Sequence, residues 1–239
     1  MKSRTALAFI PAICLTGVAL AQTAGNAVDV DPEIHRVILD NEYFRAFDAR
    51  ASAGAKSPMH THAPMVLVCI GMARFRITTP DGKTSILDFD PGDVFWVTGA
   101  QHSWQLLAGE LHAIGIEIKS AQMDGAPPAP TAEQMQGDAV SVDPDTHHVI
   151  LENPHVRVFE GRASHGMKSP MHAHPPTILV SLAGGRIKFT TPDGKSSIHD
   201  FSPGKVLWFA DGATHSWEFH SGDARVIAIE VKAARKAAP

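Results

Sequence analysis

Cysteine is almost missing from this chain: its 239 residues include two, Cys14 and Cys69. Cys14 falls inside an N-terminal leader, and one remaining thiol cannot form an internal disulfide, so packing must hold the folded state. Cys69 reads as a small buried hydrophobe. An excess of basic residues is missing too. With 21 Lys and Arg against 25 Asp and Glu, the formal charge is -4, which gives no field for nucleic acid. There is no apolar run long enough for a membrane span: Ala6 to Leu20 is short and Pro11 interrupts it. Lys2 and Arg4 precede that run and Ala19-Leu20-Ala21 closes it, so residues 1–21 read as a secretory signal peptide cleaved before Gln22. The expected location is periplasmic or secreted, with no membrane attachment after cleavage. Removing Lys2 and Arg4 leaves 19 basic residues against 25 acidic ones, a formal -6.

Helical periodicity is also lacking, and a long internal repeat takes its place. At an offset of 112, Val30-Asp31-Pro32 falls on Val142-Asp143-Pro144, and Lys56-Ser57-Pro58-Met59-His60 on Lys168-Ser169-Pro170-Met171-His172. The offset becomes 113 before His102-Ser103-Trp104 and His215-Ser216-Trp217, one loop residue having been inserted. A unit of about ninety residues is a duplicated domain rather than a solenoid repeat. The halves run over 28–119 and 140–232. Between them, 120–139 is rich in Pro, Ala and Gln, with Pro127-Pro128-Ala129-Pro130 at its centre, and reads as a linker. Short apolar runs (Met65 to Ile70, Val94 to Val97, Ala113 to Ile118) alternate with turn chemistry such as Pro80-Asp81-Gly82 and Pro91-Gly92-Asp93. This pattern predicts an all-β chain of two tandem jelly-roll β-barrels.

Alternate residues of a strand share a face, so His60 and His62 project together, as do His172 and His174. His102 and His215 arrive about forty residues later on another strand. Three imidazoles converging inside a small barrel suit a divalent transition metal. The same triple occurs twice, whereas most other histidines differ between the halves: His112 faces Arg225, His199 faces Leu87 and His165 faces Ala53. His35 and His147 do match, but they lie near the domain entrance with no partner at ligand spacing.

These residues resemble the cupin superfamily, whose first motif is G-x5-H-x-H-x3-4-E-x6-G and whose second is G-x5-P-x-G-x2-H-x3-N. Gly54 with His60 and His62, and Gly166 with His172 and His174, match the first motif's start. Gly185 fits its closing glycine, where the first half has Ala73. Gly204, Gly212 and His215 fit the second motif at full spacing; Gly92 and His102 fit it one residue short. The resemblance covers nearly all of the chain after the leader and implies a bicupin. Its glutamate, usually a ligand in the family, falls on Val66 and Ile178, and its asparagine on Leu106 and Phe219. That departs from the oxalate-type enzymes and quercetin dioxygenase. It leaves a likeness to the three-histidine cupins, among them cysteine dioxygenase, diketone-cleaving dioxygenase and gentisate-type bicupins.

The resemblance implies a mononuclear non-haem oxygenase with Fe(II), while Zn, Mn, Ni or Cu would also accept imidazole. Three neutral ligands leave the ion's charge uncompensated, which favours a small anionic substrate. Trp104 and Trp217, two residues past the third histidine, with Leu106 and Phe219 beyond them, form either an aromatic pocket wall or simply core. Arg74 and Arg186 could grip a carboxylate or stand solvated on a strand face. Glu117 and Glu230 match between halves as an outer partner for a ligand histidine or a partner for an arginine. A periplasmic binding or sensing module, or a metal-dependent isomerase, lyase or hydrolase, remains open on the sequence, as does a homo-oligomer.

Overall fold

The structure, a computed structural model, describes residues 24–99, 101–122 and 137–234; the segment expected to be a signal peptide and the proline-rich centre of the expected linker lie outside them. Among the described residues, those up to Asp40 together with Ala46–Glu117 gather into one compact unit, and Asn41–Arg45 with those from Ile118 onward into another. Each is an eight-stranded β structure.

In the first unit the strands are β1 (His35–Asp40), β2 (Phe44–Ser52), β3 (Lys56–Thr61), β4 (Met65–Cys69), β5 (Ala73–Thr78), β6 (Thr84–Phe89), β7 (Val94–Val97) and β8 (Gln101–Ile118). Hydrogen bonding follows the path β1-β2-β8-β4-β7, with β3 and β5 also on β8 and β6 on β5. The long strand β8 joins two layers. Its first part pairs with β3 and β5, out to Gly109 opposite Ala73, and its second part pairs with β4 from Ala113 to Glu117.

The bend lies at Gly109, whose φ is +78° and where a Cβ would lie 2.1 Å from the Met72 carbonyl oxygen. Only glycine fits such a site. Gly222 (φ +82°) stands at the same point of the second unit, 2.6 Å from the Gly184 carbonyl in the same sense. Replacing Gly222 with Ala should cost about 1–3 kcal/mol of stability, measured by denaturant unfolding.

The second unit repeats the plan with β9 (His147–Glu152), β10 (Val156–Ser164), β11 (Lys168–His174), β12 (Thr177–Ser181), β13 (Gly185–Thr190), β14 (Ser196–Phe201), β15 (Val206–Phe209) and β16 (Ala213–Val231). Helix is confined to two short pairs among the described residues. The α-helices α1 (Ala27–Val30) and α2 (Ala139–Val142) are capped by Asn26 and Asp138, and 3-10 turns follow β8 and β16.

Strand alternation builds each core. On β5, Ala73 and Phe75 are buried and Arg74 and Arg76 exposed. Phe47, Met65, Phe75, Trp104 and Leu106 cluster in the first unit, and Ala163, Ile187, Phe201, Trp217 and Phe219 in the second. Burying each such large side chain contributes about 1.5–3 kcal/mol. Cys69 is buried with them and its thiol is pushed well above the usual range, first by burial and then by Asp93 and Asp90. It is an inert packing residue.

Candidate metal centre

His60 lies on β3 directly opposite His102 on β8, and His172 on β11 directly opposite His215 on β16. Two residues on, His62 and His174 return to the same face. The rings gather closely. His60 is 4.9 Å from His62 and 4.6 Å from His102, centroid to centroid, and His62 is 5.5 Å from His102. In the second unit the corresponding distances are 4.9, 4.8 and 5.2 Å. All six histidines expected from the sequence therefore fall into two trios.

The structure also corrects the reading of His35 and His147. Far from lacking partners, they complete the tightest donor groups: donor atoms of His35, His60 and His62 all lie within 4.8 Å of one another, and so do those of His147, His172 and His174, whereas His102 and His215 fall outside these two groups. A sharp local turn places them. Asn26 caps α1 through the Val28 N–H, the helix ends at Asp31, and the Asp31 carbonyl accepts both the His35 backbone N–H and its Nδ1–H, at 2.9 and 3.2 Å. Asp143 does the same for His147, at 3.2 and 3.0 Å. Their signal in the sequence was the match between halves, which most other histidines lack.

A carbonyl can only accept, so these contacts decide the tautomer. The Pro58 carbonyl takes the Nδ1–H of His60 and the Pro170 carbonyl that of His172, both at 2.8 Å. The Nε2 lone pairs of His60 and His172 are thereby turned inward, where both atoms are buried with no hydrogen-bond partner. A buried, oriented acceptor without a donor is what a metal ion would satisfy. The donor set therefore fits a divalent transition metal in each unit.

Burial keeps these rings neutral, as ligation requires. It pushes His35 down to about 4, with His60 adding to the effect and the Asp31 contacts opposing it. His215 falls to about 3 through burial, then His172 and His147. His60, His147 and His172 are lowered and His174 well lowered, burial being the largest cause in each. The sign for stability follows. The unfolded chain binds protons on these groups below its ordinary histidine pKa of about 6.5 while the fold refuses them. The metal-free protein should be fully stable above that pH and should weaken as pH falls from about 6.5 toward about 4, a trend that thermal unfolding across this range would measure.

In the second unit the histidines open onto a cavity of about 70 Å³. His147, His174 and His215 form one side, and Phe159, Phe189, Phe201, Phe209 and Trp217 much of the rest. Trp217 thus lines the cavity, whereas Phe219, about 7 Å further along the strand, does not; its ring packs over Gly185 in the core. Leu106 is wholly buried in the same way, beside Trp104, which meets Phe75 edge-on at 5.3 Å.

Arg74 and Arg186 do not reach either cluster. Alternation along β5 and β13 turns them outward, where each is exposed and pairs with the neighbouring strand: Arg74 with Asp88 at 3.5 Å and Arg186 with Asp200 at 2.8 Å. They are strand-face residues. Glu117 accepts from the Asn26 side chain at 2.9 Å and lies 3.9 Å from His62 Nδ1, while Glu230 takes two N–H groups of Arg157 at 2.8 and 2.7 Å.

No protein-family model matches the sequence, and neither does any curated protein. Solved structures do match. An oxalate decarboxylase superimposes with a TM-score of 0.53 at 14% identity, over 82% of this chain and 71% of its own. A variant of the Bacillus subtilis oxalate decarboxylase gives 0.52 at 14% over the same shares. A cupin 2 conserved barrel domain protein from Leptotrichia buccalis gives 0.47 at 15%, over 83% of this chain and 88% of its own. With two tandem barrels of this topology, the chain has the two-domain cupin fold, and each domain carries a histidine group that could hold a metal ion.

Proposed function

We propose that the protein is an exported mononuclear non-haem oxygenase that holds Fe(II) in each domain and acts on a small anionic organic substrate. The observation that carries this reading is the pair of inward-facing, unpartnered Nε2 atoms of His60 and His172, together with the largely apolar cavity beside the second cluster. Iron would supply the redox chemistry and oxygen activation. The chain supplies the rest. His60 and His172 hold a fixed tautomer, the aromatic ring of Phe159, Phe189, Phe201, Phe209 and Trp217 excludes water, and the buried rings remain neutral so that positive charge at the site stays available to an anion.

The size and lining narrow the substrate. At about 10–15 Å³ for each water-sized group, the cavity admits about five to seven non-hydrogen atoms. Apart from the histidines, its one charged lining residue among those described is Arg162, at the exposed edge and 2.8 Å from Glu160. No Asp, Glu, Lys or Tyr lines the cavity among the described residues, so a reaction driven by general acid-base catalysis has no obvious agent besides histidine. That supports redox chemistry over hydrolysis or isomerisation.

Anaerobic reconstitution with Fe(II), followed by oxygen uptake across a panel of compact organic acids, tests the proposal. Uptake coupled to loss of one acid is expected; no uptake with any metal would contradict it. The same lack of an acid-base group favours one other reading, a ligand-binding or sensing module, which would instead retain a co-purified small molecule unchanged over hours. For export, mass spectrometry of the secreted protein should find Gln22 as its first residue.

A further inference from the structure

From the placement of His35 and His147 we infer that each site is a four-histidine centre, in which a ring from the first residue of β1 or β9 takes the coordination place that the cupin glutamate fills elsewhere. This rests on the proposed metal binding and goes further, naming a ligand that neither cupin motif contains.

Three observations on His35 and His147 carry it. Each ring is buried, 4% and 6% exposed. Each belongs to the group whose donor atoms lie within 4.8 Å of one another. Each is oriented as His60 and His172 are: Nδ1–H donates to a backbone carbonyl, of Asp31 and Asp143, which leaves Nε2 as the lone-pair donor. A ligating histidine almost always makes such an outer hydrogen bond, which fixes its tautomer and orientation. Ring centroids of His35 stand 5.2 Å from His60 and 5.6 Å from His62, and those of His147 4.9 Å from His172 and 5.8 Å from His174. Donors about 2.1 Å from a common ion lie about 3–4 Å apart, so closing each of these groups of three needs side-chain shifts on the order of 1 Å, and His102 and His215, which stand outside the groups, must swing further in to complete the four.

The sequence supplies the complement. Val66 and Ile178, at the motif glutamate's positions, are wholly buried and offer no donor. Four imidazoles also change what the site can accept. A six-coordinate ion keeps two positions rather than three, so an acid bound through two oxygens would fill the shell, whereas one bound through a single atom leaves a place for a second reactant. An oxygenase that activates oxygen at the ion would then take its substrate through one atom.

The test is a count of nitrogens. In the full chain loaded with Cu(II) as a spectroscopic probe, pulsed electron paramagnetic resonance of the remote imidazole nitrogens should report four histidines per ion. The pair His35→Ala and His147→Ala should report three, lose more than about 100-fold in metal affinity, beyond the range for an outer partner alone, and recover the fourth nitrogen when free imidazole is added. His35→Gln with His147→Gln, whose amide N–H can still reach the Asp31 and Asp143 carbonyls, should also report three and serves where the alanine pair misfolds. Three nitrogens in the wild type, four in either variant pair, or no bound copper would overturn the inference. Four nitrogens without oxygen uptake would sink the oxygenase reading and leave this one standing; oxygen uptake with three would do the reverse.

Discussion

Replacing His60 and His62 together with alanine is expected to release one of two bound metal ions per chain, and replacing His172 and His174 the other. Both pairs face inward and belong to groups on opposite halves of the repeat, and each replacement removes a buried Nε2 that has no protein partner. Elemental analysis should read two ions in the wild type, one in each pair and none in the quadruple variant. Thermal unfolding gives an independent readout. A ligand present at a hundred times its dissociation constant stabilises the fold by about 2.7 kcal/mol, so the domain that has lost its pair should stop responding to added metal while the other keeps its shift. Unchanged stoichiometry in either pair would show that these rings hold no ion.

Replacing Arg157 with Met should be nearly as damaging for a different reason. Arg157, Glu230 and Asp138 are all buried, at 6%, 0% and 3% exposure. The guanidinium donates twice to Glu230 and also to both oxygens of Asp138, the N-cap of α2. Removing one member of a buried charged group leaves the others uncompensated and typically costs about 3–5 kcal/mol. Burial works against the charge on Arg157, but its bonds to Glu230 and then Asp138 outweigh that and raise its pKa. Because α2 leads into Asp143, whose carbonyl holds His147, the variant should also weaken metal binding in the second unit. Denaturant unfolding would measure the first effect and metal titration the second. A loss below about 1 kcal/mol would show that the network is dispensable.

The repeat, the turn residues and the short apolar runs made the two β domains legible without coordinates, because period-two burial and glycine-bearing turns are local properties. The His-x-His pairs and their cross-strand partners were legible for the same reason. His35 and His147 were not, since what turns them inward is a carbonyl at the end of a four-residue helix, a contact no periodicity encodes; their equivalence across the repeat was the one available clue. Arg74 and Arg186 show the opposite case. Alternation with buried Ala73 and Phe75 already assigns Arg74 to the outer face, which is the solvated strand-face reading that the sequence offered beside the carboxylate grip. Trp104 and Trp217 split the two readings open on the sequence: Trp104 packs in the core and Trp217 does that while walling the cavity.

The most direct test is anomalous diffraction at the absorption edge of the bound metal in crystals of the chain from Gln22 onward. Two peaks are expected, one per barrel, each about 2.0–2.2 Å from the imidazole nitrogens of its own histidine group. Crystals grown with metal in excess that show no peak at either group, or peaks only on surface side chains, would contradict the account.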